Sequence, residues 1–309
     1  MKKLKNLNNS QMKTYRIKLS LNSGFLTPFH ADTLFGHLCW VIAYLEEEKE
    51  LEKFLKPFKE GNPPFLISDG FPENFLPRPF SAEFNIEDPE LRKEIKKRNF
   101  VSLAEFNHIR EGKSLKKLQT IEPSICEIAT THNSISRLTY TTFAEGGLYN
   151  LEEIIVSYVS IYLKVISESW KVRVVELIER LSNFGYGRKK SIGKGQFCLE
   201  EVKEFEFPEV KNPNGFVTLS NFCPSKDDPT EGLYKIFVKY GKLGEVLTYC
   251  GNPFKRPLVM IKTGSVFKTE GKPKHFYGRI VENIAPAAPN VIQYAYAFAV
   301  PIIYPEKKK

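Results

Sequence analysis

Eight prolines between residues 57 and 130, at positions 57, 63, 64, 72, 77, 79, 89 and 123, forbid any long regular element there. Each removes a backbone donor and fixes φ. The stretch reads as an insertion of short pieces, with helical content only over Glu90–Arg98. The framework must come from the flanks, and both carry clear periodicities. Residues 14–23 alternate, with Tyr15, Ile17, Leu19 and Leu21 on one face, which predicts a half-buried strand ending at the Ser23-Gly24 turn. In Ala31–Leu45, the residues Leu34, Leu38, Val41 and Leu45 recur at spacings of 4, 3 and 4, the apolar stripe of a helix. Glu46, Glu47 and Glu48 mark its exit into solvent, and either Asp32 or Thr27-Pro28 supplies its cap.

Beyond the insertion, the β-formers Leu138–Phe143 precede Gly146-Gly147 and predict a hairpin. The run Ile154–Ile166 is apolar and β-branched, as in a buried central strand. Trp170, Val174, Leu177 and Leu181 repeat at helical spacing and predict a second helix over that sheet, followed by a strand from Gln196 to about Phe207. Strand, helix, strands, helix, strand is the order of a ferredoxin-like βαββαβ unit. Residues 208–214 read as a linker. Residues 215–220, 234–240, 257–263 and 291–303 then read as strands of a second, mostly β domain. The expected organisation is α+β: a disordered extension over 1–13, a first domain over 14–207 with its insertion at 57–130, a second domain over 215–309, and a solvated Lys tail at 307–309. The apolar, stiff segment 61–80 is expected to pack on the first domain or against a partner.

The 309 residues are 42% hydrophobic and 13% aromatic, enough for two buried cores. Lys plus Arg number 45 against 36 acidic residues, a net charge of +9 that favours an anionic partner. Cysteines 39, 126, 198, 223 and 250 are scattered without a C-x-x-C pair, which suggests neither a disulfide framework nor a zinc site and fits a reducing cytoplasm. No apolar leader and no apolar run near 18 residues points to secretion or a membrane.

Chemistry concentrates in Asn183–Phe197, NFGYGRKKSIGKGQF. Gly185, Gly187, Gly193 and Gly195 free the backbone for positive φ and close ligand approach, while Arg188, Lys189, Lys190 and Lys194 place four positive charges on one loop. That combination suits a phosphodiester backbone. A P-loop is excluded, since these glycines follow a helix and precede a strand, and the third glycine of a dinucleotide fingerprint is missing. His30 and His37 lie on nearly one helix face and invite a metal-free RNase reading, but a helix that buries Leu34, Leu38 and Val41 holds His37 partly in the core. Asp32 and Asp69 stand alone, so no metal site and no cofactor are expected, and no nucleophile elbow occurs. The alternating Tyr294, Tyr296 and Phe298, like Tyr277, belong to a core rather than to base stacking.

With the glycine loop placed after the second helix, the chain resembles the repeat-associated (RAMP) proteins of CRISPR systems. TPFHADTLFGHLCW (Thr27–Trp40), SDGFPENFLPRP (Ser68–Pro79) and HNSISRLTYTTFAEGGLYN (His132–Asn150) narrow the resemblance to the type III-A (Csm) subunits that bind the crRNA 5′ tag. It runs from about Thr14 to the C-terminus and is strongest in the first two-thirds. It implies two RRM-like ferredoxin domains and a β-hairpin thumb within Asn133–Tyr149, with Asn133 and Arg137 at its polar positions. It also implies crRNA 5′-tag binding, docking to a large polymerase-like subunit and a backbone subunit, and no catalysis; the loop is the expected RNA contact, and His30 at the helix start can satisfy a backbone or an RNA group. Arg188-Lys189-Lys190 depart from the smaller residues usual in that loop, which shifts the expected contact from backbone N–H groups towards side-chain ion pairs. The rivals are a crRNA-processing endonuclease using His30 or His37, and a purely structural assembly subunit.

Overall fold

The computed structural model describes residues 12–119, 121–143, 145 and 147–306. The expected tail 307–309 and all but the last two residues of the extension lie outside these, and Lys13 is already paired in a strand. That strand, β1 (Lys13–Leu21), buries Tyr15, Ile17 and Leu19 as its alternation predicts. Next comes α1 (Ala31–Leu45), with Leu34, Leu38 and Val41 buried and Leu45 exposed at its end. The glutamates after it do not lead into open coil. A second helix, α2 (Glu48–Lys59), turns back at once and sets Phe54 and Phe58 against Phe35. Pro57 lies in its last turn and the helix ends two residues later.

The Pro-rich stretch holds β2 (Phe65–Ile67), β3 (Phe71–Pro72), β4 (Phe75–Pro77), α3 (Pro89–Lys97), β5 (Phe100–Ser102) and α4 (Leu103–Arg110). The expected helix is α3. The reading that helical content ends there is corrected by α4, which a capping box of Ser102 and Glu105 starts. Segment 61–80 packs inward, with Phe65, Leu66, Ile67, Phe71 and Leu76 buried. Then come β6 (Cys126–Asn133), β7 (Leu148–Ile155), β8 (Tyr158–Val165), α5 (Glu168–Ser182) and β9 (Phe197–Glu204). The run Ile154–Ile166 is therefore not one strand. It breaks at Val156-Ser157, where the chain leaves a hairpin and enters the main sheet. The hairpin also differs from expectation: β6 and β7 pair from Cys126↔Ile155 to Asn133↔Leu148, and Leu138–Phe143 form its connecting tip, while Gly146 lies outside the described residues.

The main sheet is antiparallel, in the order β2-β8-β1-β9, with β3 also pairing β8. Because β8 is central, all its residues after Tyr158 are buried, and α5 packs against β8, β9 and α1. A three-residue strand of the supposed insertion, β2, thus belongs to the main sheet. Its consecutive apolar residues Phe65, Leu66 and Ile67 are what that position requires.

The remainder contains β10 (Gly215–Thr218), β11 (Gly232–Leu233), β12 (Ile236–Lys239), β13 (Leu258–Ile261), β14 (Val266–Lys268), β15 (Phe276–Gly278) and β16 (Tyr296–Ile302). Five form a sheet in the order β11-β14-β10-β16-β15, and β12 with β13 makes a separate ribbon. Among the described residues no α-helix follows Ser182, so the second ferredoxin-like unit expected over 215–309 lacks its helices. The physical reason is the absence of helical periodicity from that part of the sequence. Tyr277, Tyr294, Tyr296 and Phe298 are core residues. Among the described residues no helix is long and apolar enough to cross a membrane.

One apolar core runs through both sheets, and a buried polar seam joins them. Asp69 accepts from the Ala31 backbone N–H (2.8 Å) and from Asn221 Nδ2 (2.9 Å). Asp32 accepts from Lys239 Nζ and Gln293 Nε2. Arg110, at the end of α4 and only 1% exposed, donates to the carbonyls of Pro301 (2.9 Å) and Pro208 (3.1 Å) and to Asn107 Oδ1 (2.9 Å). Replacing Arg110 by Ala leaves two carbonyls without donors beside a cavity, so the unfolding free energy should fall by about 3–5 kcal/mol. Urea unfolding of the two chains measures this, and a loss below about 1 kcal/mol would show that Arg110 does not tie α4 to β16.

Candidate nucleic-acid interface

The glycine loop begins where α5 ends and is seated from beneath by Tyr186, which is fully buried. The Tyr186 ring stacks on Phe29 at 4.0 Å, and its hydroxyl donates to the Pro28 carbonyl at 2.7 Å. The four glycines all have positive φ, between 67° and 83°, as does Lys189 at 62°. A Cβ on Gly195 would stand 1.9 Å from the Tyr186 carbonyl oxygen, whereas one on Gly193 would meet open space.

Most N–H groups of the loop are already used. Gly187 donates to His37 Nε2 (3.1 Å), Arg188 to Thr27 Oγ1 (3.1 Å), Gly195 to the Gly24 carbonyl (3.0 Å) and Gln196 to Ser23 Oγ (2.9 Å). The glycines shape the loop and dock it on residues 23–37, which corrects the expectation that they leave the backbone open to a ligand.

The four positive charges also divide. Lys194 pairs with Glu153 of β7 (2.7 Å) and Lys190 with Glu245, so neither is free to face a phosphate. Arg188 and Lys189 are exposed and make no ion pair among the described residues. The Lys189 ammonium lies 5.4 Å from the centre of the Tyr149 ring, which in turn stacks on His132 at 5.7 Å. The loop therefore lies along the hairpin, from Glu153 towards its base to Tyr149 at the tip end of the ladder, and Asn133, paired with Leu148, is one register step from Tyr149. Asn133 Nδ2 donates to Thr142 Oγ1 at 3.3 Å. Arg137 is exposed in the hairpin tip, separate from the loop.

The histidines hold structure in place. His37 is an acceptor for the loop, and burial, then the Lys190 charge, lowers its pKa from 6.5 to about 4. His30 stands at the N-cap of α1, where burial, followed by the Lys239 charge, lowers its pKa likewise to about 4. Both are neutral near pH 7. Thr27, Glu153, Tyr149 and Glu245, which fix or flank the loop, escaped the sequence reading. Their partners are distant in the chain; Thr27 and Tyr149 lay in segments that drew notice, but neither for a part in the loop.

No family model matches the sequence, and neither does any curated protein. Solved structures do match. A chain of the crystal structure of a Csm3-Csm4 subcomplex, from a type III-A CRISPR-Cas interference complex, is 19% identical with a TM-score of 0.65, over 95% of this chain and 100% of that one. Chains from Csm1-Csm4 cassettes in complex with pppApA and with AMPPNP, also 19% identical, have TM-scores of 0.63 and 0.62, over 94% of this chain and 99% of each. Csm4 is the component these assemblies share, and the chain carries a Csm4-like, RAMP-like mixed α/β fold.

Two outcomes follow from the loop geometry. Gly193→Ala should cost about 1 kcal/mol, from positive φ alone, while Gly195→Ala should cost several-fold more because Tyr186 must move. Thermal melts of both variants check this, and equal losses would contradict it. The histidine pKa values are depressed in the folded state, so the stability they carry is present above pH 6.5 and is lost as pH falls towards 4. Replacing His37 by Gln should flatten the decline in unfolding free energy across that window, and an unchanged profile would show that His37 does not titrate as described.

Proposed function

We propose that the chain is a non-catalytic, RNA-binding subunit of a type III-A effector complex, acting in the cytoplasm, that caps the crRNA 5′ tag. In this reading it docks a large Csm1-type subunit and a Csm3-type backbone subunit. The observation that carries it is the pair Arg188 and Lys189, exposed and without carboxylate partners among the described residues, on a loop rigidly seated along one strand of a hairpin. The match across nearly the whole length of the Csm3-Csm4 and Csm1-Csm4 chains supports the assembly role. We read residues 14–207 as the ferredoxin-like unit, since the order β2-β8-β1-β9 with α1 and α5 is that topology, and the β6–β7 hairpin as the thumb.

Phosphates of the tag would pair with Arg188 and Lys189, which positions the RNA without reading its bases. Asn133 and the hairpin tip with Arg137 would contact bases that leave the stack. His37 is already committed to the Gly187 N–H, and His30 is held half-buried at the start of α1, which favours binding over a histidine-based nuclease.

The charge division makes the reading quantitative. Replacing both Arg188 and Lys189 by Ala should lower the log–log salt slope for tag RNA by about 1.4, at about 0.7 per lost contact with single-stranded RNA. The Lys190→Ala and Lys194→Ala changes should leave the slope near that of the parent chain and lower thermal stability instead. Fluorescence anisotropy across a salt series measures both, and a denaturing gel of the same samples should show intact RNA. An unchanged slope in the double variant would contradict the assignment, and cleaved RNA would restore the nuclease.

A further inference from the structure

The ribbon of β12 and β13 is apolar on its outward face as well as on most of its inward one. Along Ile236–Tyr240, alternate residues turn inward: Lys239 reaches the buried Asp32, and Phe237 packs with Met260 and Leu258 on the core. The residues turned outward are Tyr234, Ile236, Val238 and Tyr240, which are 49%, 64%, 45% and 78% exposed. Val238 faces Val259 across the ladder, and Val259 is 57% exposed. An isolated bridge between Lys242 and Phe254 extends the same two segments and adds Phe254 at 61% exposed. A half-buried ribbon ordinarily alternates apolar inside with polar outside. Here a lysine is spent on an internal ion pair while β-branched and aromatic residues meet water.

Several large apolar side chains left contiguous on a surface mark an interaction site. The ribbon also has an open edge: among the described residues β12 pairs only with β13. The segments that form and join it are basic. Lys235, Lys242, Arg256 and Lys262 are exposed and make no ion pair among the described residues. The one acidic residue between Tyr234 and Lys262 is Glu245, and it is bound to Lys190.

We propose that this ribbon face is a docking surface for a folded protein subunit whose own patch is apolar and edged by Asp and Glu. The inference rests on the assembly role proposed above and assigns it a location. The centre decides between partners: Ile236, Val238 and Val259 offer flat aliphatic area, which protein interfaces bury and nucleobases do not use for stacking. The basic rim would orient the partner and speed its approach, an effect that salt suppresses.

The test uses the full chain with purified Csm1-type and Csm3-type subunits in separate binding assays. Val238→Asp combined with Val259→Asp places two carboxylates in the centre, on side chains already exposed, so thermal melts should stay close to the parent chain. The account predicts at least a tenfold loss of affinity for one of the two subunits, with affinity for tag RNA unchanged. A milder variant, Lys242→Glu with Arg256→Glu, should slow association with that same subunit and reduce its salt dependence. If both subunits bind the Asp variant as tightly as the parent, the docking surface is wrong while the assembly role stands. If the Asp variant instead loses RNA affinity, the ribbon is a nucleic-acid surface and the proposal falls. If the parent chain is a dimer that the Asp changes dissociate, the face belongs to a second copy and the proposal again falls. If the parent chain binds neither subunit, the assembly role fails first and takes the docking surface with it.

Discussion

The start of α1 depends on two buried carboxylates that come from different turns of the chain and answer different needs. Asp69 takes the N–H of Ala31, one of the first-turn donors that no residue within the helix can satisfy. Its other oxygen holds Asn221, so one carboxyl seats the helix and fastens the second half of the molecule. Burial pushes the Asp69 carboxyl up to about 8, against the pull of its N–H donors and the nearby Lys239. Asp32, one residue into the helix, is met by Lys239 and Gln293 from the far side. If this junction is lost, α1 loses its anchor. Thr27, Pro28 and His37, which lie just before or within that helix, would then no longer be set to receive the glycine loop.

The loop shows how one motif sorts its residues between shape and charge. Positive φ at five positions folds the chain back on itself, four N–H groups fasten it to residues 23–37, and others close bonds within the loop. Two lysines then brace the loop, one against the hairpin through Glu153 and one against the loop before β13 through Glu245. Of the loop's four charges, Arg188 and Lys189 are left without an ion pair among the described residues. Their approach is pre-set by the scaffold, so less ordering opposes binding than in a flexible basic tail.

Legibility in the sequence followed the range of the interaction that decides each feature. The alternation of Tyr15, Ile17 and Leu19 and the stripe Leu34, Leu38 and Val41 are local, and both elements form where they predict. The cap of α1 was not legible, because the group that serves it, Asp69, is 38 residues away and the N-cap residue itself, His30, makes no side-chain cap. The helix α2 was hidden by the run of glutamates before it, and the break at Val156-Ser157 by an unbroken apolar pattern. The candidate site was legible as a stretch, Asn183–Phe197, but not as a division of labour. Which lysines are free depends on Glu153 and Glu245, and nothing local to the loop reveals either.

The central claim, that RNA lies along the seam between the glycine loop and the hairpin, is tested most directly by photo-crosslinking. Tag RNA carrying a photoreactive nucleotide at each position in turn would be irradiated on the intact chain, and the modified residues mapped by mass spectrometry. The account predicts crosslinks within residues 186–194 and at His132, Asn133 or Tyr149, from adjacent nucleotides. Efficient crosslinks confined to residues outside those segments would contradict it.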